Sequence, residues 1–336
     1  MNIRSLRIQA VTVSVVMALV TGCGTASDPA SSAAQPDPEL TDITVAALPA
    51  ADLAGLYIAL DQGLFTKQGL RVTIEPIPSS QAIIPDQLKG QVDISAGSYI
   101  PYIAAQAAGA RFRVLAEAST LRPDTRVLVT TANSPIVTVA GLTGKMIAVN
   151  ATNSIGTLLT SVLLSDHGIS PERVRFVTDQ QGFPAMPASL QAGTWGAAFL
   201  AEPYITAAGE QYGEEVLADL DQGAVLSLPV DGYVATQAWA LKYPRTAAAF
   251  TRAIEQGQQI ANSDASAVQA TMARNDSLPA PVTAAMALPR YPVGPVVEAN
   301  IQRVARAMYQ SGILGQADAT DAEQQALVAS MADSAS

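Results

Sequence analysis

The strongest constraint on this chain is an alternation of short apolar runs with helix-length segments, sustained over much of its length. Ile43–Leu48, Arg71–Ile77, Val92–Ala96 and Arg113–Ala116 read as strands. Leu53–Leu60, Ser79–Lys89 and Tyr99–Ala108 read as the helices between them. Strands alternating with helices of this length imply a parallel, helix-covered sheet. In such sheets ligands sit beyond the carboxyl ends of the strands. That rule singles out the turn at Ala51 and Asp52 and the turn at Gly97, Ser98 and Tyr99.

Arg126–Thr131 is strand-like and leads into Asn133-Ser134-Pro135, which reads as a crossing to a second lobe. There the alternation resumes with strand Met146–Val149, helix Ile155–His167, strand Val174–Val177, helix Met186–Gln191, strand Ala197–Leu200 and a helix from Glu202. Between the first strand and helix of this lobe lie Thr152, Asn153 and Ser154, small polar residues suited to capping a helix start. Such a turn aims free N–H groups and the positive end of a helix dipole at whatever lies beyond the strand; the plainer reading is a cap that binds nothing. Residues 225–236 read as the return crossing, followed by helices Tyr243–Asn262, Ala265–Arg274 and Val296–Tyr309. The stretch from about Ala317 is small and polar and is expected to fray. The expected fold is α/β and two-lobed, each lobe a helix-covered, mainly parallel sheet. Residues 42–131 plus 229–336 form lobe I, and 132–228 form lobe II.

The first 22 residues are expected to lie outside the fold. Arg4 and Arg7 precede an apolar run, Ile8–Val20, too short to span a bilayer comfortably. Val20-Thr21-Gly22-Cys23 then resembles a lipobox, which predicts acylation of Cys23 and export to the outer face of a bacterial cell membrane. Cys23 is the only cysteine, so no intramolecular disulfide forms. Residues 23–41 are rich in Ser, Ala, Pro, Asp and Gln and read as a flexible tether.

Removing the two signal arginines takes the formal net charge from −10 to −12. No basic cluster in the sequence meets phosphates, which argues against nucleic acid or an anionic membrane face as the partner, though not against a small anionic ligand. Catalysis is not expected. The single histidine, His167, precedes Gly168 at a helix end, where it complements the dipole or faces solvent. No His, Cys or carboxylate cluster has metal-ligand spacing, and no glycine-rich phosphate loop follows a strand. No cofactor is expected.

Several segments carry a family resemblance: Gly55–Phe65 with Gly69–Val72, Leu142–Val149, and Gly193–Leu200 running into Glu202-Pro203-Tyr204. In that order, behind a lipobox, they resemble the second type of periplasmic binding protein. More narrowly, they resemble the solute-binding lipoproteins of nitrate, sulfonate and taurine ABC importers and their relatives that bind thiamine-pyrimidine precursors. The resemblance implies two lobes closing on a small solute by hinge motion, with an ABC permease as partner. It implies ligand contacts at Ala51, Asp52, Gly97, Ser98, Tyr99, Thr152, Asn153, Ser154, Glu202 and Tyr233. The family often has Asp where this chain has Gly196, so no contact is carried over there.

Glu202 has two readings: a cap on the helix that Pro203 begins, or a cleft carboxylate that accepts from a ligand N–H. Tyr99, Tyr233 and Trp239 are either aromatic walls or core. No Arg or Lys falls on any of these turns, so recognition of a sulfonate would rest on helix N-termini and hydroxyls. The expected solute is a sulfonate or taurine-like molecule, with a pyrimidine-type or other heterocyclic nutrient as the alternative. The chain is expected to act as a monomer.

Overall fold

The runs of small and β-branched residues form the strands, and the serines that precede apolar segments cap the helices. The computed structural model describes residues 36–275, 277–315 and 320–332. The expected signal segment, Cys23 and the tether as far as residue 35 lie outside the described residues. In chain order come β1 (Asp42–Ala47), α1 (Ala54–Asp61), α2 (Leu64–Lys67), β2 (Arg71–Pro76), α3 (Ser80–Leu88), β3 (Ile94–Ser98), α4 (Tyr99–Ala107) and β4 (Phe112–Thr120). Next are β5 (Arg126–Thr130), β6 (Met146–Val149), α5 (Ile155–Asp166), β7 (Arg175–Thr178), α6 (Met186–Gln191), β8 (Ala197–Ala201), α7 (Tyr204–Tyr212) and β9 (Glu215–Asp219). The chain ends with β10 (Pro229–Thr236), α8 (Gln237–Lys242), α9 (Pro244–Ser263), α10 (Ala265–Asn275), α11 (Ala280–Ala285), α12 (Glu298–Gln310) and α13 (Asp321–Ala332).

Two five-stranded sheets result, ordered β2-β1-β3-β10-β4 and β7-β6-β8-β5-β9. In the first, β1 pairs in parallel with β2 and β3, while β10 runs antiparallel to both β3 and β4. In the second, β6 pairs in parallel with β7 and β8, and β5 runs antiparallel to both β8 and β9. Each sheet therefore holds one reversed strand, and in each case it is the strand arriving from the other sheet. The sheets are mixed rather than simply parallel because β10 inserts between β3 and β4, already laid down, and β5 is flanked by the later β8 and β9.

One face of the first sheet packs against α1, α2, α9 and α10 around Val45, Leu56, Phe65, Phe250 and Met272. The Phe65 and Phe250 rings stack there with centroids 5.4 Å apart. A second core joins α4, α12 and α13 to the second sheet through Tyr102, Phe112, Val127, Leu158, Phe199 and Met308. Burial of each such side chain contributes about 1.5–3 kcal/mol. Gly156, in the first turn of α5, lets that helix close onto the Phe199 ring of β8, which any Cβ would overlap.

Three sequence expectations change. Arg126–Thr130 is not a first-lobe strand; it is hydrogen-bonded between β8 and β9. The crossing between sheets is therefore residues 121–125, and Ser134 N–H closes a local turn on Thr131 O. All five β5 residues are buried, so no alternation in the sequence marks which sheet the strand joins. The C-terminal stretch does not fray throughout: it forms α13, with Val328 and Met331 fully buried against α12, β4 and α4. The end of the expected tether is held down as well. Glu39 accepts from the backbone N–H groups of Arg245 and Thr246, and Leu40 N–H donates to Thr246 Oγ1 at 2.9 Å. Among the described residues no helix is long and apolar enough to cross a membrane.

Candidate functional site

The carboxyl ends of β2, β6 and β7 converge on a pocket of about 390 Å³. One wall is Pro78, Ser79, Gln81, Ala82 and Pro85 at the start of α3; the other is Asn150, Ala151 and Thr152 after β6, with Thr178, Asp179 and Gln180 after β7. Small organic ligands occupy pockets of this size. Across the groove, Asn153 N–H faces Gln81 Oε1 at 3.4 Å.

Local sequence builds both walls. Ser79 caps α3, its Oγ accepting from Ala82 N–H at 3.3 Å. Ser154 caps α5 in the same way through Thr157 N–H, and the Thr157 hydroxyl donates back to Ala151 O at 3.2 Å. The remaining first-turn N–H groups of α3 have no intrahelical acceptor, and the helix dipole places partial positive charge among them. Gly97 brings β3 against this helix start: a Cβ there would overlap the Ser80 hydroxyl, which accepts Ser98 N–H at 3.0 Å.

No lysine or arginine lines the pocket, and its one carboxylate is Asp179. Asp179 Oδ1 accepts from Gln181 N–H at 2.8 Å and Oδ2 from the Ser189 hydroxyl at 3.3 Å. Each oxygen keeps a further lone pair. Asn150 Oδ1 is buried without a partner, the mark of an acceptor that solute or water completes.

A buried ionic network joins the two sheets. Arg126 Nη1 is 2.6 Å from Asp52 Oδ2, and Nη2 is 3.1 Å from Asp231 Oδ2. The Ser119 hydroxyl lies 2.7 Å from Asp52 Oδ1 and 3.2 Å from Asp231 Oδ2. Arg126 Nε and Asp231 Oδ1 have no partner. Burial, and next the Asp52 charge, push the Asp231 carboxyl up, against the pull of Arg126. One cation thus serves two carboxylates, and it is spent on the fold.

The residues singled out from sequence divide accordingly. Thr152 lines the pocket, Asn153 bridges it and Ser154 caps the helix beside it. Gly97 and Ser98 support the α3 wall from behind, with Ser98 Oγ accepting Ile100 N–H as the α4 cap. Ala51 and Asp52 are buried. Tyr99 and Tyr233 are fully buried with unpartnered hydroxyls; they stand in the packing, not on the pocket. Glu202 does not line it either. Its carboxylate accepts from Thr206 N–H and Oγ1–H at 3.1 and 2.9 Å, and from Ala287 N–H at 3.1 Å. Its backbone carbonyl accepts Ala51 N–H at 2.9 Å. Glu202 is both a cap on α7 and a tie to the first sheet's side.

Ser79, Gln81, Asn150 and Asp179 escape the sequence reading. The signal was available, since each follows the carboxyl end of a strand. His167 sits at the end of α5 with Nδ1 2.9 Å from Leu163 O, a structural position. Among the described residues no group of three or more His, Cys, Asp or Glu side chains could hold a metal ion.

A family model described as NMT1/THI5 like matches residues 50–266. No curated protein matches the chain. Among solved structures, the alkanesulfonate-binding protein SsuA from Xanthomonas axonopodis pv. citri, bound to MOPS, superposes with a TM-score of 0.71 at 20% identity, covering 82% of this chain and 95% of that one. The periplasmic nitrate-binding protein NrtA from Synechocystis PCC 6803 superposes with 0.74 at 14% identity, covering 88% and 86%. The desulfurization enzyme DszB also superposes, with 0.62 at 15% identity, covering 82% and 94%. These likenesses show a shared periplasmic-binding-protein fold.

Proposed function

Since the chain belongs to the NMT1/THI5-like family, we propose that it is the solute-binding component of an ABC importer and captures a small zwitterion of the taurine type. The observation that carries this reading is the pocket's charge pattern: a helix start and a capping turn, one carboxylate and no cation. The acid group of the solute is held by the first-turn N–H groups of α3 and the turn at Thr152. Its ammonium end pairs with Asp179, and Asn150 Oδ1 accepts a further N–H. The sulfonate- and nitrate-binding neighbours support an oxyanion head group; the carboxylate adds the amine. A simple sulfonate or nitrate would leave Asp179 unpaired beside it.

The halves built on the two sheets, joined by residues 121–125 and 220–228, act as lobes that rotate about those crossings to admit and release the solute. Release is unchanged: the pocket lining offers no nucleophile paired with a base. The apolar run ending at Cys23 supports export and a lipid anchor on the outer face of the cell membrane, with the chain working as a monomer beside its permease.

Calorimetric titration of the purified chain with taurine, ethanesulfonate, nitrate and an aminopyrimidine tests the reading. Taurine is expected to bind at least tenfold more tightly than ethanesulfonate, and Asp179→Asn to erase that difference. Binding of nitrate or the aminopyrimidine alone, or an unchanged preference in the Asn variant, would overturn it; so would chemical turnover of taurine.

A further inference from the structure

A second concavity, of about 620 Å³, lies away from the solute pocket, where the chain crosses between the sheets. Arg122 comes from the first crossing, Ser227 from the second, and Arg290, Asn300 and Arg303 from the C-terminal segment. We infer that this concavity is an oxyanion site, built for a phosphate-type ligand carrying two or more charges.

Three arginines line it and no aspartate or glutamate does, in a chain with 29 acidic and 19 basic residues. Arg303 is fixed in place, Nη1 donating to Ser227 O at 3.1 Å and Nη2 to Leu226 O at 2.8 Å. The backbone under Arg290 is fixed too: its carbonyl accepts Thr120 N–H at 3.0 Å, and its own N–H reaches Thr120 O at 3.4 Å. Arg122 and Arg290 are exposed, and their guanidinium groups have no hydrogen bond or ion pair with any described residue. Elsewhere Arg71, Arg245 and Arg274 are each neutralised by a carboxylate, while Arg111, Arg173 and Arg175 are exposed singly and line none of the concavity. Two carboxylates stand behind the lining: Glu117, buried and already engaged by Val297 N–H at 2.9 Å and by Asn300 Nδ2, and Asp221, which accepts Ser227 N–H. Like charges brought together without counter-charge repel, and a multivalent oxyanion relieves that repulsion with bidentate hydrogen bonds to the planar guanidinium.

Inorganic pyrophosphate titrated calorimetrically into the full chain is expected to bind at one site, more tightly than sulfate. The double variant Arg122→Gln/Arg290→Gln should weaken it at least tenfold while unfolding at the unliganded wild-type temperature. Arg71→Gln, an exposed arginine elsewhere, should leave it unchanged. Vesicles of phosphatidylglycerol separate two sources of the same chemistry: capture of the chain by vesicles, lost in the double variant, assigns a lipid headgroup, and no capture assigns a free anion. No binding of either ligand at millimolar concentration, or equal binding by wild type and double variant, would overturn the inference.

Discussion

Asp231→Asn isolates the cost of the surplus negative charge in the buried network. Asp231 is 1% exposed and shares Arg126 with Asp52; burial first and the Asp52 charge second push it from 3.8 up to about 7. Between those values the folded chain holds a proton that the unfolded chain has released. The unfolded state therefore binds fewer protons, and stability falls as pH rises through the window, by about 1.4 kcal/mol per unit for one group. Below about pH 4 both states are protonated, and above about pH 7 neither is, so the contribution is flat on either side. Asparagine stays neutral throughout and mimics the protonated carboxyl. Whatever fixed offset the amide introduces, the stability of the variant relative to wild type should shift in its favour by about 2–3 kcal/mol between pH 5 and pH 7, then level off. Urea unfolding at half-unit pH steps reads that difference directly. A gap that does not change with pH would refute the reasoning, since it would mean that Asp231 is charged across the window and that Arg126 holds both carboxylates ionised. Arg126→Met supplies the complementary sign: it leaves two buried carboxylates unpaired, costing about 3–5 kcal/mol at neutral pH, and the loss should shrink on acidification.

Glu202→Ala removes the acceptor for Ala287 N–H and two groups of Thr206, at a cost of about 1–3 kcal/mol in urea unfolding; Glu202→Gln, which keeps one carbonyl oxygen, should fall between it and wild type. Glu214 is buried with neither oxygen partnered, and burial pushes it up to about 8, so Glu214→Gln should stabilise the chain by about 1–2 kcal/mol at pH 8 and by less at pH 5, read from thermal midpoints.

The fold was legible in the sequence wherever secondary structure is decided locally. Val149 ends an apolar run, Ser154 caps, and Leu158, Leu159 and Leu163 recur at helical spacing; strand, turn and helix follow. What stayed hidden depends on distant partners. Nothing local tells that Arg126–Thr130 joins the second sheet, because its neighbours β8 and β9 lie some seventy to ninety residues on. Helix α13 reads as small and polar until α12, β4 and α4 supply the surface that buries Val328 and Met331. Of the candidate site, the β6–α5 turn was legible from its capping residues. Asp179 and Ser79 were not, although the strand-end rule that chose Asp52 applies to them equally. Asp52 obeyed the rule in position but turned inward, because an arginine heading an apolar strand needs a buried counter-charge.

The same network bears on where the proposed hinge between the halves would lie. Asp52, Ser119 and Asp231 all stand on or beside the first sheet, whereas Arg126 heads β5 of the second. Among the described residues it is the one buried cation. Drawing it away from its two carboxylates would strand buried charge, at about 3–5 kcal/mol. The ties across the groove are lighter. Ala51 N–H to Glu202 O, Ala287 N–H to the Glu202 carboxylate and the long Asn153–Gln81 contact are bonds that water can replace, at about 1 kcal/mol for the neutral ones and about 1.5–3 kcal/mol for the one to the carboxylate. In the proposed hinge motion, a rotation that parts the halves would therefore keep Arg126 near its axis and open the groove at the Gln81 and Asn153 side. Motion about that axis would move the walls of the solute pocket most and the buried ionic network least.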